Sequence, residues 1–587
     1  DTPTAGIASF VTSRVEQLRD SLALTPLRIA ILRSFTIEPL VPTLTAEAFA
    51  AGIDLHVMVG DHNVIAQALL ESASALHAFH PDVVVVASLT RDLAPSVWNG
   101  EGELQAAALD AVGQLGSWVE RFRRRSAASV IVQGLEQPAY AADGILDAFA
   151  GAGQRKAISA ANSALMEMAS RHHGVYVLDY DALVARHGRV AWSDPHKDLA
   201  MRVPLRPEAY RQLALEYLRY LQPLARRTCK VLAVDLDNTL WGGVIGEDGP
   251  TGIRLGVDYP GSAYQAIQRA IKALQRRGIL LAICSKNNAD DAVAVLRDHP
   301  EMLLRPDDFV AMRINWEDKA ANLRAIAAEL NVGLDAVALL DDNPAERDWV
   351  RTHAPDVHVL DVTDDPVAIA DAIRRAPVFE RLELSQEDRV KTAQYRQQQA
   401  RAAAAQDAQS PEDFLRSLEM KAVINDVQPG TLARAAQLTQ KTNQFNATTR
   451  RYTEEQLRRL AATPGSFVRT MRVVDRYGDN GVVGLVIGRV AEQRCDIDTL
   501  LLSCRVIGRD VETALLADAA AAAQRRGATA LVGVIESTPK NAPARDVYQR
   551  HGFERIAEDG GRSEWTLDLE QRRLTTPAWI EVRTDHE

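Results

Sequence analysis

The chain has 587 residues, 47% hydrophobic and 25% charged, with 67 Lys and Arg against 78 Asp and Glu and a net charge of −11. That length exceeds what one core can serve and implies about three or four domains. The acidic balance disfavours non-specific binding to nucleic acid or to an anionic membrane surface. No apolar run approaches the ~20 residues that span a bilayer. The opening stretch DTPTAGIASFVTSRVEQLRD carries acidic residues and no continuous apolar core, so it does not read as a secretory signal. It lacks an initiator Met, as a tagged, trimmed or excised chain would. Four cysteines at unrelated spacings (Cys229, Cys284, Cys495, Cys504) give neither a disulfide framework nor a zinc pattern. The expectation is a reduced, cytoplasmic protein.

The first third alternates short apolar runs with helical patterns. LRIAILRS (Leu27 to Ser34), IDLHVMVG (Ile53 to Gly60), PDVVVVAS (Pro81 to Ser88), ASVIVQGL (Ala128 to Leu135) and VYVLDY (Val175 to Tyr180) predict buried parallel strands. Strand–helix alternation means a doubly wound α/β sheet with right-handed crossovers. The helical stretch RPEAYRQLALEYLRYLQPLA then leads into a second α/β unit beginning near Lys230. Its predicted strands are KVLAVDLD, ILLAICSK, DFVAMRI, AVALLDD and VHVLDV. A helix closed by Gly278 follows the first of them, and DKAANLRAIAAELN predicts another. SQEDRVKTAQYRQQQARAAAAQDAQS is polar and Ala/Gln-rich, as in an exposed helical connector. From about Pro411 the pattern is α+β. Two helices precede three long alternating strands, FVRTMRVVDRYG, GVVGLVIGRVAEQ and CDIDTLLLSCRV, and then helix VETALLADAAAAAQRRG, strand ALVGVIES, helix ARDVYQRHG and strand SEWTLDLE. Boundaries at 1–225, 226–380 and 381–587 follow from these changes of texture.

The chemistry concentrates in the second unit. In an open parallel sheet, ligands bind beyond the carboxyl ends of the strands. One strand ends in Asp235-Leu236-Asp237, another in Cys284-Ser285-Lys286-Asn287, and a third in Asp341-Asp342-Asn343-Pro344, while Lys319 opens the helix before that third strand. Desolvating clustered like charges is expensive unless a cation or a phosphoryl transfer compensates. Carboxylates from two strands (Asp235, Asp237, Asp341, Asp342) form a hard oxygen site suited to Mg²⁺. One aspartate can attack phosphorus and the other can serve as acid and base. Lys319 and the Ser285 hydroxyl can hold the transferring oxygens.

This constellation resembles the haloacid dehalogenase-like (HAD) superfamily, whose four motifs are matched in order by Asp235, Asp237 and Thr239, by Ser285, by Lys319, and by Asp341 and Asp342. The surrounding words DLDNTLWGGVIGEDG, ICSKNN, NWEDKAANL and LLDDNPAER, with QLTQKTNQFNATTRRYTEEQL, RYGDNGVVG and TPKNAPARDVYQRHGF downstream, look like the FkbH-like proteins. That resemblance implies a glyceryltransferase/phosphatase. Such an enzyme draws a glyceryl unit from 1,3-bisphosphoglycerate, removes phosphate and loads the acyl group on the phosphopantetheine arm of an acyl carrier protein for polyketide-type biosynthesis. It also assigns Thr239, Asn287 and Lys319 to the phosphate. The alternative is a Mg²⁺-dependent small-molecule phosphatase with non-catalytic flanking domains.

The implied fold class is α/β multidomain: an SGNH/flavodoxin-like doubly wound domain, a HAD-like Rossmannoid domain and an α+β GNAT-like domain. The third unit resembles the GNAT fold, with RVIGRD (Arg505 to Asp510) at its pyrophosphate loop, so Arg505 and Arg509 are candidate phosphate-binding residues. Asp510 stands where that fold has a small residue, which argues against ordinary acetyl-CoA use. Cys504, at a strand end beside Arg505, is the candidate acyl-carrying thiol, and Cys284 its rival. Cys229 and Cys495 read as buried fillers. The first unit resembles the SGNH hydrolases. Ser34 sits after the first strand and Asp194 and His196 lie late, but their spacing is one residue short and no Gly-Asp-Ser turn surrounds Ser34. A non-catalytic docking domain is expected there. The basic run Arg121 to Arg125 reads as a solvated helix face or a landing surface for an acidic carrier protein.

Overall fold

The structure, a computed structural model, describes residues 14, 22, 24–383, 397, 401, 404, 408–539 and 541–584, with the side chains of Lys441 and Cys504 outside that description. Most of the predicted connector therefore lies outside the described residues. The chain divides into two compact units, Asp1–Arg389 and Val390–Glu587.

The first unit holds two parallel sheets. β1 (Thr25–Arg33), β2 (Ile53–His62), β3 (Val83–Ala87), β4 (Ser129–Gln133) and β5 (Val175–Leu178) pair in the order β2-β1-β3-β4-β5. Successive residues feed opposite faces, as strand geometry requires. Ile29, Ile31, Val83 and Val85 join one core, and Ala30, Leu32, Val84 and Val86 join the other. Because both faces are covered, the strands are continuous apolar runs. The sheet reverses direction of growth at β1 and β3, with β2 on one side and β4 and β5 on the other. The crevice between β1 and β3 is thus its switch point.

The second sheet has β6 (Val231–Val234), β7 (Leu280–Ser285), β8 (Phe309–Ile314), β9 (Val337–Leu340) and β10 (His358–Val359) in the order β10-β9-β6-β7-β8, all parallel. β6 lies between β9 and β7, so the residues after three neighbouring strands meet at one edge. The Gly261–Arg276 helix packs Ile267, Ile271 and Leu274 into the core below, and Gly278, at φ 81°, ends the turn that follows it. The two sheets are joined within the unit. Glu380 accepts from Arg219 at 2.6 Å and from Arg277 at 3.3 Å, and the Cys229 N–H donates to the Val378 carbonyl at 2.8 Å.

The second unit contains β11 (Met420–Asp426), β12 (Phe445–Asn446), β13 (Ser466–Asp475), β14 (Gly478–Ala491), β15 (Arg494–Leu502), β16 (Ala530–Glu536), β17 (Glu554–Asp559), β18 (Arg562–Asp568) and β19 (Ile580–Thr584). They form a mixed sheet ordered β17-β18-β16-β15-β14-β13-β11-β19, with β12 pairing β15. β15 and β16 pair in parallel only from Arg494 to Ile497, and at the far end of β15 Phe445 and Asn446 take up Leu502 and Leu501 instead. The Val511–Gln524 helix covers one face and carries Asp518, whose carboxylate binds the buried Arg469 guanidinium through two bonds of 2.8 and 2.9 Å. β11, β17 and β19 carry no expectation from the sequence. β17 is exposed along its whole length, so it has no buried periodicity to reveal it.

Candidate active site

The expected acids converge. Asp235, just past β6, is held by its N–H to the Leu340 carbonyl at 2.9 Å, which aligns it with the end of β9. Carboxylate oxygens of Asp235, Asp341 and Asp342 all lie within 4.8 Å of one another. Lys319 Nζ bridges two of them, donating to Asp341 Oδ2 at 2.5 Å and standing 3.1 Å from Asp235 Oδ1. All four groups are buried or nearly so, Asp341 at 0% exposure and Lys319 at 2%. Thr239 Oγ1 donates to Asp342 Oδ1 at 3.1 Å, and the Arg347 guanidinium donates to the Asp341 and Asp342 carbonyls at 2.8 and 2.7 Å.

The charges strain against their burial. Desolvation, then the neighbouring Asp235, pushes the Asp341 carboxyl up to about 6 despite Lys319. The same two causes raise Asp342. Burial alone would lower Lys319, but Asp235 and Asp341 outweigh it and hold its ammonium above the ordinary lysine range. Three carboxylates share one cation, and Asp235 Oδ1 is a buried oxygen with no hydrogen-bond partner. That donor set, all hard oxygens with a spare acceptor, fits a divalent ion such as Mg²⁺.

Asp237 corrects the expectation. It stands outside the three-carboxylate group, because its oxygens are used by its own loop and by Asn287 beyond β7. Oδ1 accepts from Trp241 Nε1 at 2.8 Å and from the Ile245 N–H at 3.1 Å, and Oδ2 accepts from Asn287 Nδ2 at 2.9 Å. Asn287 is thereby committed to Asp237, a link that spacing alone does not reveal. Burial raises the Asp237 carboxyl, these donors oppose the shift, and Asp235 adds to it. The turn that follows is tightly built. Asn238 has φ 54°, Gly243 has φ 98°, and a Cβ at Gly242 would come 2.7 Å from the Tyr264 ring. Trp241, fully buried, pins it from beneath. Ser285 ends β7 and is 2% exposed. Lys286 pairs with Glu346 at 2.6 Å. Arg347 is a site residue missed in the sequence; its only signal is its place four residues past Asn343.

Cys284 is sealed at 0% exposure, and burial pushes its thiol up to about 12. Its sulfur lies 3.8 Å from the Lys319 carbonyl. Cys229 and Cys495 are also buried.

In the second unit, Cys504 opens a short turn directly beyond β15, and its side chain lies outside the described residues. Arg505 Nε donates to Ser503 Oγ at 3.2 Å. Arg509 departs from the expected phosphate role: it is 8% exposed and donates to Asp475 Oδ2 at 3.2 Å, where Arg401 also binds. Burial, then Arg401, lowers its pKa to about 10. Asp510 has φ 57° and makes no capping bond to the helix it precedes.

In the first sheet, Ser34 does not meet a histidine. Its hydroxyl donates to Asp92 Oδ2 at 2.7 Å and accepts from the Leu89 N–H at 3.0 Å, while His196 is exposed and Asp194 caps its own helix by accepting from the Lys197 N–H. With no histidine to relay a proton from the Ser34–Asp92 pair, Ser34→Ala should leave turnover within a few-fold of wild type. A loss of about a hundredfold (~2.7 kcal/mol of barrier) with the fold intact would reveal a working hydrolase there.

Among the described residues, no helix is long and apolar enough to cross a membrane. No curated protein matches the chain. Among solved structures, the N-terminal part of a Bacteroides fragilis protein, containing a phosphatase domain and complexed with Mg, is similar at 25% identity and a TM-score of 0.59, over 65% of this chain and 100% of that one. An acetyltransferase of the GNAT family from Streptococcus pneumoniae aligns at 17% identity and a TM-score of 0.20, over 25% of this chain and 98% of that one. The Escherichia coli ribosomal-protein-S18-alanine N-acetyltransferase aligns at 14% and 0.20, over 25% and 94%. Residues 28–218 match the family model of the FkbH N-terminal domain.

Proposed function

We infer that the protein is a Mg²⁺-dependent phosphatase coupled to glyceryl transfer. It takes a glyceryl unit from 1,3-bisphosphoglycerate, removes phosphate and loads the glyceryl group as a thioester on an acyl carrier protein. The observation that carries the phosphatase half is the Asp235–Asp341–Asp342 group bridged by Lys319. The transfer half rests on the resemblance of the sequence to FkbH-like proteins and on the match of residues 28–218 to that family's N-terminal domain.

Asp235, Asp341 and Asp342 would hold the Mg²⁺, which when bound offsets their repulsion and the charge of the phosphate. Asp235 attacks phosphorus, forming an O–P bond as the bond from phosphorus to the leaving oxygen breaks. Asp237, lifted by burial toward its protonated form, donates to that leaving oxygen and then takes a proton from the water that cleaves the aspartyl-phosphate. Lys319 stabilises the transferring oxygens, and Ser285 lines the same edge.

The acyl half calls for a nucleophile. Cys504 is the choice, because Cys284 is sealed and its thiol raised. Attack by Cys504 on the acyl carbon releases the carboxyl phosphate, and the pantetheine thiol of the carrier then displaces Cys504. Peptide mapping of the glyceryl adduct should find it on Cys504 in wild type, and find none in Cys504→Ala. An adduct on Cys284 in that variant would reverse the assignment. The second reading, a plain phosphatase, is favoured by one observation: Arg509 is tied to Asp475 rather than offered to a phosphate. Intact mass spectrometry after incubation with 1,3-bisphosphoglycerate and a holo carrier protein separates the two. Glyceryl on the carrier supports transfer; free phosphate with no adduct supports the phosphatase alone.

A further inference from the structure

We propose that the first α/β sheet carries a separate binding site for a small organic amine. The site is a cavity of about 320 Å³ at the carboxyl ends of β1 and β3. That crevice is the switch point of the sheet, where open α/β folds bind their ligands. The volume sits at the small end of ligand pockets, about 300–1,000 Å³.

The lining sets the class of ligand. Ser88, immediately after β3, is 1% exposed, and its hydroxyl has no hydrogen-bond partner. Buried hydroxyls are nearly always satisfied, so an orphan beside a cavity marks the place of a missing partner. Asp92 and Asp110 both line the cavity, with Trp118 beside them, and no Lys, Arg or His does. The Arg91 guanidinium is committed to Asp198 and stands 3.9 Å from Asp92 Oδ1. Ser34 is occupied in positioning Asp92. Asp110, exposed at the cavity rim, accepts from a neutral donor, Gln114 Nε2, at 2.7 Å. Phosphates and carboxylates would meet two acids and no cation. An ammonium group would meet two carboxylates, a free hydroxyl acceptor and an aromatic face. With the Ser34 hydroxyl committed to Asp92 and no histidine lining the cavity, this is a binding site rather than a hydrolytic one.

Isothermal titration of the full chain with putrescine tests the proposal, with inorganic phosphate and glycerol as comparison probes. One saturable putrescine site per chain is expected, with no heat from phosphate or glycerol at this site. Ser88→Ala removes no existing bond, so it should keep the unfolding temperature while weakening putrescine at least fivefold. Asp92→Asn should weaken it at least tenfold, and Asp235→Asn should leave it unchanged, which separates this site from the acid cluster of the second sheet. No saturable putrescine binding overturns the proposal. So does binding that Ser88→Ala leaves intact, binding lost in Asp235→Asn, or phosphate or glycerol binding that Ser88→Ala weakens.

Discussion

Replacing Asp235 with Asn should lower phosphate release by about six orders of magnitude, the scale on which loss of a nucleophile acts. The substitution is isosteric, so the amide fills the same space past β6 and the N–H bond to Leu340 persists. What disappears is the anionic oxygen, which is buried beside Lys319 without a hydrogen bond of its own. The fold should survive, because the change removes one of three like charges that share a single ammonium. Unfolding temperature should therefore hold or rise while activity vanishes, and EDTA should abolish phosphate release in wild type. Near wild-type turnover in Asp235→Asn would end the assignment.

Lys319→Met is expected to fail in a different way, losing activity and stability together. Removing one partner of a buried ion pair typically costs about 3–5 kcal/mol, since the remaining charge is left uncompensated. Here three carboxylates would be left. The pH dependence gives the sign. The Asp341 carboxyl lies at about 6 in the folded chain, against about 3.9 for an unfolded Asp. Between those values the native state binds the proton and the unfolded state does not, so stability falls as pH rises through that window. This is the reverse of an ordinary salt-bridged aspartate. Without Lys319 the folded value moves higher and the loss extends toward neutral pH. Metal-free Lys319→Met should thus unfold at the lowest temperature above about pH 6 and recover toward pH 5. Equal destabilisation at both ends would show that the lysine matters for packing and not for charge.

The parallel strands were legible because burial on both faces writes them as unbroken apolar runs: Val83 to Ala87 and Leu280 to Ser285 are fully buried, and each lies within a predicted strand. The convergence of Asp235, Lys319 and Asp341 was legible too, since strand ends of an open sheet share an edge. What stayed hidden depended on side-chain direction. The i, i+2 spacing of Asp235 and Asp237 suggests one shared face, but β6 stops at Val234 and the chain leaves extended geometry by Asn238, at φ 54°. Asp237 then turns to Trp241 and Asn287. The pairing of Arg509 is hidden for a similar reason. Its counter-ion, Asp475, lies 34 residues away at the end of β13, beyond the reach of any local pattern. β11 was within reach, with Met420, Ala422 and Ile424 buried in alternation, but the exposed Val423 between them blurred the signal.

The most direct test of the phosphatase assignment is chemical trapping of the intermediate. The chain is mixed with 1,3-bisphosphoglycerate and Mg²⁺, quenched with borohydride, and mapped by peptide mass spectrometry. Borohydride reduces an aspartyl-phosphate to homoserine. Homoserine is expected at position 235 alone, absent when EDTA is present. Homoserine at 237, or phosphate release with neither position modified, would contradict it.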